Sequence, residues 1–183
     1  MHSKSYRFLT PLIMVLTWAN MEAQTSHPVP RLVVNVTIDQ LRTDYMEAFS
    51  SLFGAGGFNK VMRDGRSYMD AAYPFSHIDR ASAVACIMTG TVPYDNGIVG
   101  EHWMDRKTLR PMYCVDDATC EGWLTSEKYS PVALNVSTVT DELKMATGGR
   151  ALVYSIAPDA DAAILAAGHA ADGAFWIDNA SGQ

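Results

Sequence analysis

The first candidate for chemistry in this sequence is Arg80, because it occupies a position that would suit an anion. Asp79 is a favoured N-cap residue, and the small and apolar residues after it predict a helix that ends at Gly90, with Pro93 just beyond. The N-terminus of a helix presents unpaired N–H groups and a positive dipole end, which suit a phosphate or another anion. Arg80 would be the first residue of this helix, so a cation lies where the dipole favours an anion.

Asp39 is the second candidate, and it follows a segment with the pattern of a buried strand. Residues 31–38 are rich in β-branched residues and nearly continuous in apolar character, which is typical of a strand covered on both faces. Open α/β folds bind their ligands beyond the carboxyl ends of such strands. Two interpretations stay open: Asp39 serves a ligand at this edge, or it caps the following helix.

The first 23 residues have the layout of an export signal. Lys4 and Arg7 form a basic start, residues 8–19 form an apolar run, and a short cleavage motif precedes Gln24. The run is too short to predict a membrane anchor. We therefore predict a signal peptide over residues 1–23 and export to the periplasm or the cell exterior. A buried N-terminal helix is the alternative.

Composition and charge bound the rest of the chain. A length of 183 residues with 48% hydrophobic content allows one domain with a sizeable core, which we place at residues 24–183. The net charge of −6 argues against a nucleic-acid partner, since nucleic acid is bound by a basic face. No stretch after the leader is long and apolar enough to predict a stable membrane span.

The three cysteines permit different roles in an exported protein. Cys114 and Cys120 flank a short acidic stretch that reads as a turn. A local disulfide and two free thiols are both open there. Cys86 lies in the apolar middle of the helix after Asp79, and it is most simply a packed core thiol.

Strands alternate with helices along most of the remaining chain. Further strands are predicted at residues 67–73, 150–156 and 173–178. Helices are predicted at residues 44–53, 58–63 and 137–146. Residues 98–130 show no regular pattern. The alternation predicts an α/β fold with a mostly parallel sheet flanked by helices.

Four segments give the sequence a family resemblance. Residues 33–45 run through Asp39, and residues 89–98 carry a Thr-Gly-Thr-Val-Pro motif followed by Asn-Gly-Ile. Both resemble the alkaline phosphatase superfamily, in particular the nucleotide pyrophosphatase/phosphodiesterases and the periplasmic alkaline phosphatases related to them. Residues 100–106 and 162–165 continue the resemblance. It implies an alkaline-phosphatase-like fold that is incomplete at the C-terminus of this chain.

The resemblance implies hydrolysis of a small-molecule phosphate ester by two zinc ions and a Thr or Ser nucleophile. Asp39 falls on the family's first metal-ligand Asp, and the remaining ligands are expected beyond residue 183. The family's nucleophile lies nine residues before the Thr of the Thr-Gly motif, where this sequence has Arg80. A guanidinium stays protonated and is not a nucleophile. Ser82 is a poor substitute, because two helical residues rotate its side chain by about 200°.

Three more positions depart from the family pattern. The Asn that helps to hold phosphate falls on Glu101, and the phosphate-binding Lys and Arg of the monoesterases fall on Asp159 and Asp161. We hypothesise that Arg80 occupies the former phosphate position and pairs with some of these carboxylates or with Asp39. Pairing is the tolerable way to bury such charges. The alternative is that these side chains are individually solvated at the rim.

Two functions of different classes stay open. In the first, the protein is an exported, metal-dependent phosphoric ester hydrolase that uses a different nucleophile. In the second, it is a non-catalytic pseudophosphatase that keeps the fold as a binding or scaffold module. The identity of the later metal ligands would discriminate between them.

Overall fold

The computed structural model describes residues 29–178 and residue 182, so the predicted signal peptide lies outside the described residues. The chain divides into two units, Met1–Val33 and Val34–Gln183. Of the first unit, residues 29–33 are described and carry no helix or strand. Within the described part of the chain, no helix combines the length and apolar character needed to cross a membrane.

The second unit is built from short helices and strands, named here in chain order. The helices among the described residues are α1 (Thr43–Ala48), α2 (Gly57–Asp64), α3 (Arg80–Thr89), α4 (Pro93–Asn96), α5 (Val139–Ala146) and α6 (Ala160–Ala167), with a 3-10 helix at Ser50–Leu52. The strands of the same part are β1 (His102–Met104), β2 (Pro111–Tyr113), β3 (Tyr154–Ile156) and β4 (Gly173–Phe175). The helices predicted from the sequence are thus confirmed, with bounds shifted by a few residues.

Helix α3 begins and ends where the sequence predicts. The Asp79 carboxylate accepts a hydrogen bond from the Ser82 N–H at 2.9 Å, and the Ser82 hydroxyl oxygen accepts one from the Asp79 N–H at 3.0 Å. Such a cap stabilises a helix by about 1 kcal/mol. At the other end Gly90 has a φ of 68°, a left-handed conformation that glycine adopts at little cost, and its N–H donates to Cys86.

The hydrophobic core lies between α3 and α6. One stripe of α3 faces it at helical spacing, and two large residues of α6 face it from the other side. These buried residues are Ala81, Val84, Ala85, Met88, Ile164 and Leu165. Cys86 lies outside the stripe and is partly exposed, so its interpretation as a packed core thiol is wrong.

Strands β3 and β4 are parallel neighbours connected through α6. Tyr154 pairs with Gly173 and Ile156 with Phe175. Parallel strands require a crossover of this kind, and a helix is its usual form. Both strands lie within predicted strand segments. The parallel α/β arrangement is therefore confirmed, although each strand is three residues long.

The N-terminus of α5 and the C-terminus of α6 are joined by one carboxylate. Asp141 accepts the Thr138 N–H at 2.9 Å and the Ala170 N–H at 2.8 Å, and it lies 3.0 Å from Nδ1 of His169. Gly168 stands beside this cluster with a φ of 80°, and a Cβ there would collide with the Thr138 hydroxyl. The cluster holds α6 in place beside α5.

Two predicted strands are wrong. Residues 31–38 and 67–73 contain no strand. The side chains of Leu32 and Val34 are 80% and 71% exposed. A strand needs a partner for its backbone N–H and C=O groups, and no described segment pairs with either range. The apolar side chains of residues 31–38 are therefore exposed, although their pattern favours burial.

An antiparallel hairpin was missed in the segment with no predicted regular structure. Strands β1 and β2 pair with His102 opposite Tyr113 and Met104 opposite Pro111. The connecting loop is organised by Asp105, whose carboxylate accepts hydrogen bonds from the Lys107 N–H at 3.0 Å and from the Thr108 hydroxyl. This hairpin brings the residues on either side of it next to α3.

The cysteines are free thiols. Cys114 is fully buried in the core, whereas the backbone of Cys120 is bonded to Asp117 in a surface turn. Because Cys114 and Cys120 are both free, the disulfide alternative is wrong.

Candidate functional site

The site is organised around Arg80, the first residue of α3. Its Nε lies 3.2 and 3.1 Å from the two carboxylate oxygens of Asp161, and its Nη2 donates to the same carboxylate at 3.0 Å. Its Nη1 lies 3.1 Å from Asp159, and its Nη2 lies 3.6 Å from Glu101. One guanidinium thus connects the helix start of α3 with the start of α6 and with the residue before β1.

The charge pairing expected from the sequence is present for three carboxylates. Asp161 is fully buried and the Arg80 side chain is 26% exposed, which excludes the alternative of separately solvated side chains. Asp39 is not within ion-pairing distance of Arg80. It is exposed, and its carboxylate accepts the N–H of Gln40 at 2.9 Å. The roles of these residues in metal or substrate binding stay predictions.

Two effects of opposite sign act on the Arg80 guanidinium. Burial alone would lower the pKa of Arg80, but the hydrogen bonds and charge of Asp161, with the charges of Asp159 and Glu101, outweigh it and raise that pKa. The guanidinium therefore stays charged and holds no lone pair that could attack phosphorus.

Ser82, considered in the sequence as a substitute nucleophile, belongs to the cap of α3. It is fully buried, and its hydroxyl donates to the Asp79 carboxylate at 2.8 Å as part of the helix cap. The prediction that its side chain turns away from the site is confirmed. Its hydroxyl group is used in the hydrogen bonds that cap α3.

Asp79 positions two residues of the site at once. It caps α3 just before Arg80, and its Oδ2 accepts the Glu101 N–H at 2.6 Å. Gly100 permits this approach, because a Cβ there would lie 2.9 Å from the same oxygen. Burial would raise the pKa of Asp79, but the backbone hydrogen bonds from Ser82 and Glu101 lower it. The carboxylate is therefore fixed in its charged form.

Asp161 at the start of α6 is hydrogen-bonded to Tyr113 at the end of β2. Its backbone N–H donates to the Tyr113 phenolic oxygen at 3.2 Å. Burial, with the Asp161 charge as the second cause, raises the pKa of Tyr113 well above its usual range. The phenol therefore stays protonated at neutral pH and cannot act as a base there.

A cleft of about 300 Å³ opens beside Arg80. Its lining includes aromatic residues that sequence reasoning missed: His102, Tyr113, Tyr129 and Trp176. Five carboxylates of the described chain also line it: Glu101, Asp116, Glu127, Asp159 and Asp178. The missed residues come from the hairpin, from the irregular segment after it and from the end of β4. No spacing in the sequence could have brought them together.

The described residues do not by themselves supply a complete zinc site. Zinc in proteins takes three or four ligands from His, Cys, Asp and Glu. Among residues 29–178 and 182, no three such side chains converge on a common position. Asp39 would contribute one carboxylate, so the expectation of two zinc ions rests on the family resemblance and on ligands outside this set.

Comparisons with known proteins show the family to which the chain is related. Residues 33–181 match the family described as type I phosphodiesterase/nucleotide pyrophosphatase. The chain is 40% identical over 157 residues to alkaline phosphatase PhoV of Synechococcus elongatus, covering 84% of this chain and 28% of that protein. It is 32% identical over 181 residues to alkaline phosphatase PafA of Elizabethkingia meningoseptica, covering 97% of this chain and 33% of that protein.

A comparison of folds also finds alkaline phosphatase PafA. The crystal structure of wild-type alkaline phosphatase PafA superimposes with a TM-score of 0.80 at 34% identity, over 86% of this chain and 31% of that one. The chain thus spans about a third of the length of the relatives that it matches. The α/β fold is that of the N-terminal part of an alkaline phosphatase, and the chain belongs to the type I phosphodiesterase/nucleotide pyrophosphatase family.

Proposed function

We propose that the protein containing this chain is an exported member of the family that does not hydrolyse phosphate monoesters through a residue at the start of α3, and that it serves as a binding module. One observation carries the proposal. The first residue of α3 is an arginine whose guanidinium is held by Asp161 at 3.0 Å and by Asp159 at 3.1 Å. No nucleophilic group stands in its place.

Electrostatics supports the same conclusion. A phosphate monoester carries a negative charge, and the cleft beside Arg80 is lined by five carboxylates. Two like unit charges 4 Å apart repel each other by about 4 kcal/mol at the effective dielectric constant of a protein surface. Arg80 cannot offset this repulsion, because Asp161 and Asp159 already compensate its charge.

A second candidate function is a zinc-dependent phosphoric ester hydrolase that uses another nucleophile. The observation in its favour is Asp39, whose carboxylate is exposed and available to a ligand. Zinc would stabilise negative charge on a bound ester, with Asp39 holding one ion. Export is proposed from the basic and apolar layout of residues 1–23 alone.

The test uses the full-length protein, an aryl phosphate monoester and an aryl phosphate diester, with and without zinc. We expect no zinc-dependent monoester hydrolysis by the wild type. Turnover within the range of ordinary enzymes, about 1 per second or faster, would overturn the proposal. Diester hydrolysis that disappears in Asp39→Asn would establish the second candidate.

A set of reversal variants shows which residues silence the site. Arg80→Thr restores a hydroxyl but keeps the carboxylates, and we expect it to stay inactive. The combination of Arg80→Thr, Glu101→Asn, Asp159→Lys and Asp161→Arg restores the side-chain types of the family pattern. Zinc-dependent monoester hydrolysis by this combination, together with an inactive wild type and an inactive Arg80→Thr, would show that the lost hydroxyl and the inverted charges together abolish the reaction.

A further inference from the structure

The imidazole ring of His169, just after α6, connects three segments of the chain. Its Nδ1 lies 3.0 Å from the carboxylate of Asp141 in the first turn of α5. Its Nε2 lies 3.0 Å from the main-chain oxygen of Leu134, in the segment before α5. The ring therefore fixes the C-terminal end of α6 to the start of α5 and to the segment that leads into it.

Both partners of the ring are hydrogen-bond acceptors. Burial would raise the pKa of Asp141, but hydrogen bonds, first that from Thr138, lower it to about 2, so this carboxylate is charged at neutral pH. The Leu134 carbonyl can only accept. Leu134 is 3% exposed, and within the described part of the chain no second donor reaches its oxygen. The two acceptors together therefore require two N–H groups from one ring.

The protonation state of His169 decides whether both acceptors are satisfied. A neutral imidazole has one N–H group and one nitrogen with a lone pair. That lone pair would face an oxygen lone pair at 3.0 Å, and one of the two acceptors would lose its donor. An imidazolium donates to both oxygens and is also attracted by the charge of Asp141. The geometry thus favours the doubly protonated ring over either neutral tautomer.

We propose that His169, Asp141 and the Leu134 carbonyl form a pH-sensitive clamp, which holds the end of α6 while the ring carries two protons and loosens when one is lost. Histidine is the side chain that ordinarily changes charge between pH 5 and 8. The His169 side chain is 41% exposed, so water can deliver and remove the proton. The clamp acts on the helix that carries Asp161, but its residues lie outside the cleft beside Arg80, and the inference is independent of the proposed function.

No second charged group of the described residues competes for the ring. The segment at residues 131–137, which supplies the Leu134 carbonyl, contains no charged side chain. The other charged groups of α5, of α6 and of the turn after α6 are engaged elsewhere: Lys144 with Asp172, Glu142 with Ser137, and Asp161 with Arg80. Asp141 is therefore the charged partner that makes the clamp respond to pH.

The first experiment observes the protons on the ring directly. The full-length protein is labelled with 15N at histidine, and its ring resonances are recorded at about pH 7, where an ordinary histidine is mostly neutral. The His169 signal is assigned by its loss in His169→Gln or His169→Asn. We expect both ring nitrogens of His169 to carry a proton. A neutral ring, with one protonated nitrogen, would overturn the proposal.

The second experiment measures urea unfolding of the wild type and of His169→Gln at about pH 5.5 and pH 8.5. Glutamine keeps an amide donor but does not titrate. The stabilisation by the doubly protonated ring is present at low pH and lost as the pH rises. We therefore expect the ratio of the two unfolding equilibrium constants to be about tenfold larger at pH 5.5 than at pH 8.5.

The matched control is His77→Gln, which replaces an exposed histidine outside the clamp. Its ratio to the wild type should change by less than about threefold between the two pH values, because exposed charges contribute little. A His169→Gln ratio that changes no more than that of the control would overturn the proposal. A ratio that grows as the pH rises would do the same.

Discussion

The ion pair between Arg80 and Asp161 offers a quantitative test of how this site is held together. Arg80→Met removes the guanidinium and keeps most of the apolar stem. The fully buried Asp161 carboxylate would then lose the hydrogen bonds from Nε and Nη2. Removing one partner of a buried pair costs about 3–5 kcal/mol. Because the Arg80 side chain is 26% exposed and water can reach it, we expect a loss of about 3 kcal/mol.

The assay is urea unfolding of the full-length protein, followed by circular dichroism. The expected result is a lower midpoint with an unchanged dependence on urea. The matched control is Arg63→Met, which removes an arginine whose Nε lies 2.7 Å from Asp64 with both side chains at least half exposed. Exposed pairs contribute less than about 1 kcal/mol. The control therefore removes an ion pair with a similar N–O distance that is exposed instead of buried.

A double variant completes the argument. Arg80→Met with Asp161→Leu replaces the pair by apolar side chains, and we expect it to recover most of the stability lost in the single variant. Arg80→Met being no more costly than Arg63→Met would refute the reasoning. A double variant no more stable than Arg80→Met would do the same, because the loss would then not come from an unpaired buried charge.

Three further predictions concern the rest of the chain. Burial would raise the pKa of Asp141, but hydrogen bonds, first that from Thr138, hold it at about 2. Its contribution of about 2 kcal/mol is present above about pH 4 and lost as pH falls through about 2, so urea unfolding of Asp141→Asn and wild type should converge on acidification. Gly168→Ala should cost at least about 2 kcal/mol and Gly148→Ala about 1 kcal/mol in the same assay, because only the first Cβ meets a neighbour. Residues 24–183 expressed alone should self-associate, because large apolar side chains are exposed, and a monodisperse, cooperatively melting monomer in light scattering would contradict this.

The sequence predicted those features that depend on local signals or on charge. Helix α3 followed from Asp79 and Gly90, because capping and a left-handed glycine act within a few residues. The pairing of Arg80 with Asp161 followed from opposite charges at positions that the family resemblance places together. The helix required no knowledge of distant packing, whereas the pairing took that knowledge from the family resemblance.

The sequence did not predict what depends on tertiary contacts. Strands β1 and β2 have three residues each, too few to show an alternating pattern. The strand predicted at residues 31–38 was wrong for the opposite reason. The pattern there is strong, but a strand also needs a neighbouring strand to pair with, and no described segment pairs with this one. The aromatic cleft joins rings from three separate segments, and no local signal connects Tyr113 with Trp176.

Asp79 links the start of α3 to the residue that precedes the hairpin. Its carboxylate accepts one hydrogen bond from the Ser82 N–H in α3 and another from the Glu101 N–H just before the hairpin. Fraying of the helix start would therefore remove a contact that also fixes the residue before the hairpin. Asp79→Ala should accelerate deuterium exchange at both amides, Ser82 and Glu101, and acceleration at only one of them would contradict this coupling.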